Sequence, residues 1–253
     1  MKIPPILIII ASILIITSFS GCISSYGAEC DTVKPGVLTI GITPILPPLQ
    51  YYEEGELKGY DIDLMKEIAN KMGLEPEFKV YSYKGAEEAL LNGEIDCIPS
   101  TTVSPERKER MEFSRAYLQT YMIVAVFENS PYTELKDLNG KKIAVFKDTY
   151  SEDWSYSYLG SIDAELISYE SIDKLMSDIY SGNLDAVVTD QIHMDYYSEQ
   201  NNFESRMISE KMTIVYWAVA LKKDNGLQDR INDALFELEQ DEALYELKNK
   251  WYD

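Results

Sequence analysis

Two hydrophobic periods alternate along the chain, and together they predict strands and helices in alternation. Short apolar runs with the length of buried strands occur in GVLTIGI (36–42), TYMIVAVF (120–127) and TIVYWAVAL (213–221). Between such runs, YDIDLMKEIANKMG (60–73) has apolar residues at every third or fourth position, which is typical of a helix with one buried face. Strands that alternate with helices indicate an α/β fold.

The same patterns predict the remaining elements. A Pro-rich loop and a hairpin occupy 43–60, Asp61 is expected to cap the helix that follows, and Gly73 to end it. Further strands are predicted at 74–83, 141–146 and 164–169, and further helices at 85–93, 151–160, 171–182, 191–200 and over two segments within 227–251. The 253 residues suffice for one large domain or two modest ones.

Two segments far apart in the chain resemble each other. ALLNGEIDCIPSTT (89–102) and IYSGNLDAVVTDQ (179–191) both pass through a glycine and an aspartate into a short apolar strand that ends in polar residues. The repetition indicates two α/β lobes of related construction. Because ligands of open α/β sheets bind beyond the carboxyl ends of strands, residues 100–102 and 189–190 are candidates for one site in a cleft between the lobes.

Hydroxyl and basic side chains are concentrated in STTVSPERKER (100–110), which opens a predicted helix. Ser104 can cap that helix, Pro105 suits its first position, and the free backbone N–H groups of a helix start favour an anion. Thr102 adds a hydroxyl, and Arg107 has the planar guanidinium that matches a carboxylate. We therefore predict a carboxylate site here. The alternative is an ordinary capped helix with Arg107 in a surface ion pair.

Asp190 ends the predicted strand DAVVTD (185–190), where its carboxylate is placed to hold a cation, although a simple helix cap is the alternative. A carboxylate site and an ammonium site together fit an α-amino acid. In KDTYSED (147–153), the backbone amides of Thr149 and Tyr150 and the hydroxyl of Thr149 are expected to contact the ligand's carboxylate. Tyr83 is expected to lay its ring on the ligand's aliphatic part.

The composition argues against several classes of function. The chain has 43 Asp and Glu against 23 Lys and Arg, a formal net charge of −20, so no nucleic-acid partner is expected. One histidine and three scattered cysteines do not make a zinc site of the His/Cys type, and the GxSxG, GxGxxG and Walker motifs are absent. We expect no metal, no cofactor and no catalytic residue. His193 is predicted to lie on the surface of its helix.

Residues 1–22 have the pattern of an export signal. Lys2 precedes an apolar run over 6–19, which is shorter than the ~20 residues that cross a bilayer as a helix. FSGC (19–22) resembles a lipobox, in which Cys22 is the lipidated residue. An uncleaved anchor is the alternative, and both place the protein on the outer face of the cell membrane.

Residues 23–36 are predicted to be a linker between this signal and the folded part. The two remaining cysteines, Cys30 and Cys97, are compatible with a disulfide outside the cytoplasm. The alternative makes Cys97 a small buried core residue.

Four long motifs follow one another: GYDIDLMKEIANKMG (59–73), ALLNGEIDCIPSTTVSPERKERMEFSRAY (89–117), LKDLNGKKIAVFKDTYSED (135–153) and YSGNLDAVVTD (180–190). In these motifs the chain resembles the polar amino-acid solute-binding proteins of ABC transporters, over about 37–251. The resemblance implies the periplasmic-binding-protein-like fold, in which two α/β lobes with mixed sheets are joined by two hinge strands. It also implies an amino acid held between the lobes.

The resemblance assigns roles to individual residues. Thr102 and Arg107 match the family's carboxylate ligands, Asp190 its ammonium ligand, Tyr83 its stacking aromatic residue and Thr149 its second-lobe carboxylate contact. These are the residues that the chemistry of the chain also indicates.

The chain departs from the family pattern around the ligand's side chain. Leu49 stands where a second aromatic ring is usual, Thr43 where an acidic residue often meets the ligand, and Ser100 where glycine is frequent. Asp148 replaces the customary glycine before Thr149. These differences leave the α-carboxylate and α-ammonium contacts intact and favour an uncharged ligand over a basic one.

The expected division is lobe 1 at 37–118 and 216–253 and lobe 2 at 119–215, with hinges near 117–121 and 211–216. We expect a monomer that closes on its ligand and delivers it to the membrane permease of an ABC importer.

Two other functions occur on the same fold. A sensor module needs a signalling segment after the domain, whereas this sequence ends at Asp253. A dehydratase of cyclic amino or keto acids needs a general acid in the cleft, for which Asp148 and Glu152 are the candidates.

Overall fold

A computed structural model describes residues 32–208 and 213–252. Its strands are β1 (Val37–Ile42), β2 (Ile45–Leu46), β3 (Gln50–Glu53), β4 (Glu56–Lys58), β5 (Glu75–Val80), β6 (Cys97–Thr102), β7 (Met111–Phe113), β8 (Leu118–Phe127), β9 (Lys142–Phe146), β10 (Glu165–Tyr169), β11 (Ala186–Asp190), β12 (Ser205–Met207) and β13 (Thr213–Lys222). Its helices are α1 (Tyr60–Lys71), α2 (Tyr83–Asn92), α3 (Pro105–Arg110), α4 (Tyr150–Tyr158), α5 (Ile172–Tyr180), α6 (Gln191–Asn201), α7 (Leu227–Gln240) and α8 (Ala243–Tyr252), with a 3-10 turn at Leu135–Leu138.

A mixed sheet of ten strands runs through the molecule in the order β10-β9-β11-β8-β13-β6-β1-β5, with β12 beside β8 and β7 beside β13. In one lobe β1 pairs in parallel with β5 and β6, and in the other β9 pairs in parallel with β10 and β11. An antiparallel strand completes each set of three, β13 on β6 and β8 on β11. The two lobes therefore share one strand order, in keeping with the repeated segments of the sequence.

The repeated aspartates hold equivalent positions in the two lobes. Asp96, just before β6, accepts a hydrogen bond from the N–H of Thr39 at 2.7 Å and donates its own N–H to the Thr39 carbonyl at 2.8 Å. Asp185, just before β11, makes the same two contacts with Lys142, at 2.9 and 2.8 Å. Each aspartate thus ties the first strand of its lobe to the third, and the bond to Asp96 satisfies a buried backbone N–H group.

Strands β8 and β13 connect the lobes. They pair antiparallel from Met122 opposite Thr213 to Leu118 opposite Trp217. Past this ladder β8 continues beside β11, and β13 continues beside β6 and β7. The polypeptide therefore passes between the lobes as two paired strands, which is the arrangement that the fold class predicts.

Two helices begin earlier than their sequence patterns suggest. Gly59, not Asp61, occupies the N-cap of α1, so Asp61 lies inside the first turn and is completely buried. Helix α2 begins at Tyr83 because Ser82 caps it, its Oγ accepting the N–H of Gly85 at 3.2 Å. Tyr83 therefore belongs to a helix start rather than to the end of a strand.

The export signal, the lipobox cysteine Cys22 and Cys30 lie outside the described residues. Within the described ranges Cys97 is a free thiol, completely buried in β6. No helix of these ranges combines the length and the apolar character needed to cross a membrane.

We predict that Gly59→Ala lowers the free energy of unfolding by more than about 3 kcal/mol, measured by urea denaturation. Gly59 has a φ of +131°, and a Cβ there would lie 2.0 Å from the carbonyl oxygen of Leu49. Gly55→Ala is the matched control, because Gly55 has a φ of +84° and no atom within 4 Å of such a Cβ. Its loss is expected to be about 1 kcal/mol, and equal losses in the two variants would contradict the steric explanation.

Candidate functional site

The nine residues predicted to bind a ligand line one cavity between the lobes. The cavity encloses about 790 Å³ of space, a figure that includes open solvent at its mouth. Its lining includes Thr43, Leu49, Tyr83, Ser100, Thr102, Arg107, Thr149, Tyr150 and Asp190. The structure thus brings the nine together, while their role in binding stays a prediction.

Helix α3 holds Arg107 on the cavity wall. Ser104 caps the helix as predicted, accepting the N–H of Arg107 at 3.2 Å, and Pro105 follows it. The Arg107 side chain is only 13% exposed, Nη1 donates to the carbonyl oxygen of Thr102 at 3.4 Å, and Nη2 lies 3.1 Å from Oε1 of Glu87. The ion pair of the alternative interpretation is therefore present, but it is largely buried and lies beside the cavity.

Glu87 of α2 is a functional candidate that the sequence pattern did not indicate. Its Oε1 pairs with Arg107, and its Oε2 lies 3.3 Å from Nη2 of Arg110. Two arginines share this carboxylate, and the second of them, Arg110, also lies 3.9 Å from Oε1 of the exposed Glu106. Glu87 therefore orients the Arg107 guanidinium on the cavity wall. An acidic residue on a predicted helix usually belongs to a solvated face, so the sequence pattern gives no sign that Glu87 pairs with Arg107.

Asp190 contributes the opposite charge from the other lobe. It ends β11 opposite Met122 of β8 and stands at the N-cap of α6, but its side chain does not cap the helix. The residue as a whole is half-buried, yet its Oδ1 is inaccessible and has no hydrogen-bond partner among the described residues. Burial raises the pKa of this carboxyl to about 7. A buried, unbonded carboxylate is costly unless a cation pairs with it.

Two tyrosine rings lie among these charges. Burial raises the pKa of Tyr83 well above its usual value, the carboxylates of Asp190 and Asp61 raise it further, and Arg107 lowers it. Burial also raises the pKa of Tyr150, which Arg107 lowers and Asp190 raises. Both phenols are therefore protonated at neutral pH. One ring from each lobe stands within the electrostatic field of Arg107 and of Asp190.

Thr149 stands at the N-cap of α4, but its hydroxyl is already bonded within its own lobe. The hydroxyl donates to the carbonyl oxygen of Phe146 at 2.7 Å and lies 2.7 Å from Oγ of Ser151. The first N–H groups of a helix have no acceptor within it. The backbone amides at the start of α4, rather than the hydroxyl, are therefore the groups that remain for a ligand's carboxylate.

A buried network behind the cavity fixes Ser100 and Thr43. Ser100, with a φ of +46°, donates its hydroxyl to Oδ1 of Asp61 at 2.8 Å, and the Tyr117 hydroxyl donates to the same oxygen at 3.0 Å. Oδ2 of Asp61 accepts Nε2 of Gln50 at 2.9 Å, and Oε1 of Gln50 accepts the N–H of Thr43 at 2.8 Å. Burial raises the pKa of Asp61 to about 7 although all three donors lower it. The hydroxyl of Ser100 is thus engaged away from the ligand.

The structure corrects the prediction for His193. The residue was expected on the surface of its helix, yet it is only 3% exposed and lines the cavity. Its ring lies 5.7 Å from that of Trp217, another cavity residue. Helix α6 packs against β8 and β11, and its sequence has no clear apolar stripe that would have revealed which side is buried.

Asp148 and Glu152, the candidate acids of an enzyme, lie at the outer opening of the cleft and do not line the cavity. Asp148 is exposed, with a φ of +59°, and its N–H donates to Oε2 of Glu152 at 2.8 Å. The acidic residues in the lining of the cavity are Glu87 and Asp190.

Comparison with known proteins identifies the family. The family model of the bacterial extracellular solute-binding proteins, family 3, matches residues 38–253. The chain belongs to this family. The predicted resemblance is therefore confirmed, and the strand order agrees with the predicted fold class.

Relatives of this solute-binding protein are named as binding proteins. The arginine-binding extracellular protein ArtP of Bacillus subtilis (strain 168) is 28% identical over 250 residues, 97% of each chain. An ancestral arginine-binding protein bound to arginine has a TM-score of 0.79 and 31% identity, over 86% of this chain and 99% of that one. The ancestral amino acid-binding protein AncCDT-1, a precursor of cyclohexadienyl dehydratase, has a TM-score of 0.79 and 27% identity, over 86% and 96%.

We predict that Asp190→Asn stabilises the ligand-free solute-binding protein at pH 8 by about 1–3 kcal/mol. The carboxyl titrates near 3.8 when exposed and near 7 when folded. Between these values the folded state keeps a proton that the unfolded state has lost, so this carboxyl makes stability fall as the pH rises.

The asparagine variant does not ionise at this position. Its gain in the free energy of unfolding over the wild type should therefore grow from pH 4 to pH 7 and remain constant above pH 7. Urea midpoints across this range measure it, with the exposed Asp148→Asn as the control. Asp61 is present in both proteins, so its titration cancels from the difference in stability between the variant and the wild type. An advantage that does not change with pH would contradict the prediction.

Proposed function

We propose that this solute-binding protein captures a free α-amino acid in the cavity between its lobes and delivers it to the permease of an ABC importer. The observation that carries the proposal is the unbonded, buried Oδ1 of Asp190 opposite the largely buried guanidinium of Arg107, both beside one cavity. An ammonium group satisfies the first and a carboxylate the second. An α-amino acid supplies both charges on groups that are bonded to one carbon atom.

The remaining groups of the cavity support the same ligand. The start of α4, Thr149 to Ser151, lines the cavity. The free N–H groups and the positive dipole end of a helix start favour a carboxylate there. Tyr83 and Tyr150 line the cavity and offer ring faces to the ligand's carbon atoms. Glu87, which also pairs with Arg110, holds the Arg107 guanidinium at the wall of the cavity.

Closure of the lobes is the proposed mechanism. Arg107 belongs to the lobe at 37–118 and 216–253, and Asp190 to the lobe at 119–215, so a ligand bound to both favours the closed arrangement by the contacts that only this arrangement allows. Bending is proposed near 117–121 and 211–216, of which 211–212 lie outside the described residues. The paired strands β8 and β13 are the elements that such a motion has to bend.

The place of action follows from the family, whose members are extracellular. Attachment to the outer face of the cell membrane, through a lipid on Cys22 or an uncleaved anchor, is part of the proposal. So are the monomeric state and the association with permease subunits. Metabolic labelling with a lipid precursor in cells that express the wild type or Cys22→Ala separates the two kinds of attachment.

We predict that Arg107→Gln and Asp190→Asn each weaken the binding of the cognate amino acid at least a hundredfold, about 2.7 kcal/mol. Each change leaves a charge of the ligand desolvated without its partner, a loss that measured cases place at about 3–5 kcal/mol. Isothermal titration calorimetry at pH 7.5 measures the affinities.

Lys108→Gln is the matched control, because Lys108 is an exposed cation on the same helix and does not line the cavity. Its affinity should equal that of the wild type. Unchanged binding in both site variants would rule out this site.

The alternative is a dehydratase, which the likeness to a dehydratase precursor brings into consideration. The two proposed general acids, Asp148 and Glu152, stand at the outer opening rather than in the cavity, which favours a binding protein that performs no reaction. We predict that incubation with prephenate or arogenate yields no aromatic product by ultraviolet absorbance. Product that disappears in Glu152→Gln would establish the enzyme instead.

A further inference from the structure

One ring nitrogen of His193 is hydrogen-bonded to the backbone, and this bond fixes the other ring nitrogen as a hydrogen-bond acceptor. Nδ1 lies 3.0 Å from the carbonyl oxygen of Pro47. A carbonyl oxygen can only accept, so Nδ1 carries the hydrogen of the neutral ring. Nε2 is then a bare acceptor, and no hydrogen bond to it is found within 32–208 and 213–252.

The ring is uncharged under ordinary conditions. Burial lowers the pKa of His193 to about 4, although the Pro47 carbonyl raises it. The residue is 3% exposed and lines the cavity. It therefore presents an acceptor without charge to whatever fills the space between the lobes.

In the proposed site, the charged side chains of the cavity bind the α-ammonium and α-carboxylate groups of the amino acid. Asp190 is matched to the ammonium group, and the other lining carboxylate, that of Glu87, is held by Arg107 and Arg110. Asp61 lies behind the lining and accepts three hydrogen bonds from its neighbours. In the described residues no further carboxylate of the lining is left for a cationic side chain, whose burial without a partner is strongly unfavourable.

The uncharged part of the lining combines apolar side chains with hydroxyl groups. The hydroxyls of Ser100, Thr102 and Thr149 are bonded to protein groups. Leu46, Leu49, Ile98, Phe146 and Trp217 contribute carbon surface. Gln50 is polar, but its amide is bonded at both ends, to Asp61 and to the N–H of Thr43. Nε2 of His193 differs from the hydroxyls of the lining because it carries no hydrogen and can only accept a hydrogen bond.

We propose that His193 is a specificity-determining residue whose Nε2 accepts a hydrogen bond from the ligand's side chain, so that the protein selects uncharged amino acids ending in an N–H or O–H donor. Carboxamide side chains have this chemistry. The proposal rests on the amino-acid site described above and adds to it the class of side chain. A donor-bearing ligand gains the hydrogen bond, whereas an apolar ligand of the same shape leaves Nε2 desolvated and unbonded.

A different use of Nε2 is open to test, because His193 lies one turn after Asp190 on α6 and both line the cavity. Nε2 could accept from the ligand's ammonium group instead. In that case substitution of His193 weakens the binding of all amino acids equally, and His193 does not distinguish between their side chains.

The experiment compares pairs of amino acids of similar size by calorimetry at pH 7.5. The pairs are L-asparagine with L-leucine and L-glutamine with L-methionine, and L-lysine and L-arginine test the cationic class. The proteins are the full chain and its variants His193→Phe, which removes both nitrogens and keeps a ring against Trp217, and His193→Gln, which restores an acceptor.

The wild type is expected to bind at least one carboxamide ten times or more tighter than its apolar counterpart and tighter than both cations. His193→Phe should reduce that ratio to about one, and His193→Gln should recover part of it. His193→Met replaces the phenylalanine variant if urea denaturation shows that the latter is unfolded.

Three results would overturn the inference. They are tightest binding of lysine or arginine, tightest binding of an apolar amino acid, and an equal loss for every ligand in His193→Phe. In each of them the wild type still binds amino acids, so the proposed function stands. If the wild type binds none of the common amino acids by calorimetry, the proposed function fails as well.

Discussion

A buried carboxylate oxygen without a hydrogen-bond partner is the constraint on which the proposed site depends. Oδ1 of Asp190 is inaccessible and unbonded, and such a group is tolerated only because the surrounding fold is stable enough to hold it. The end of β11 holds it in place through its pairing with β8. The other lobe places the Arg107 guanidinium on the wall of the same cavity, so the two halves of the molecule offer complementary charges to one guest.

The two lobes treat their polar groups differently. In lobe 1, Glu87 is held between two arginines, and Asp61 accepts bonds from Ser100, Tyr117 and Gln50. These networks are satisfied without a ligand, and a satisfied buried network rigidifies its surroundings. The carboxylate of Asp190 in lobe 2 is left open. The polar groups of lobe 1 are therefore bonded before a ligand arrives, whereas Asp190 of lobe 2 needs a ligand to provide its hydrogen-bond partner.

The connection between the lobes is simple compared with the lobes themselves. Each lobe contains three parallel strands, and an aspartate links the first of them to the third. The fourth strand of each lobe is one of the two strands that cross between the lobes. A ladder of two strands can bend and twist more readily than a packed α/β layer. The proposed closure requires bending in this ladder and not within the lobes.

The sequence by itself determined the local features and the family. Strand and helix periods, the cap at Ser104 with Pro105 behind it, and the repeated Gly and Asp before β6 and β11 depend on neighbours in the chain, so local patterns reveal them. The family motifs, the departures from them and the chemistry of the chain together indicated nine residues that share one cavity. Only the tertiary structure decided which polar groups meet across long separations. His193 reaches the carbonyl of Pro47, 146 positions away, and Asp61 meets Ser100, 39 positions away. Burial of His193, the engagement of Gln50 and the sharing of Glu87 depend on packing between distant elements, which no local period records.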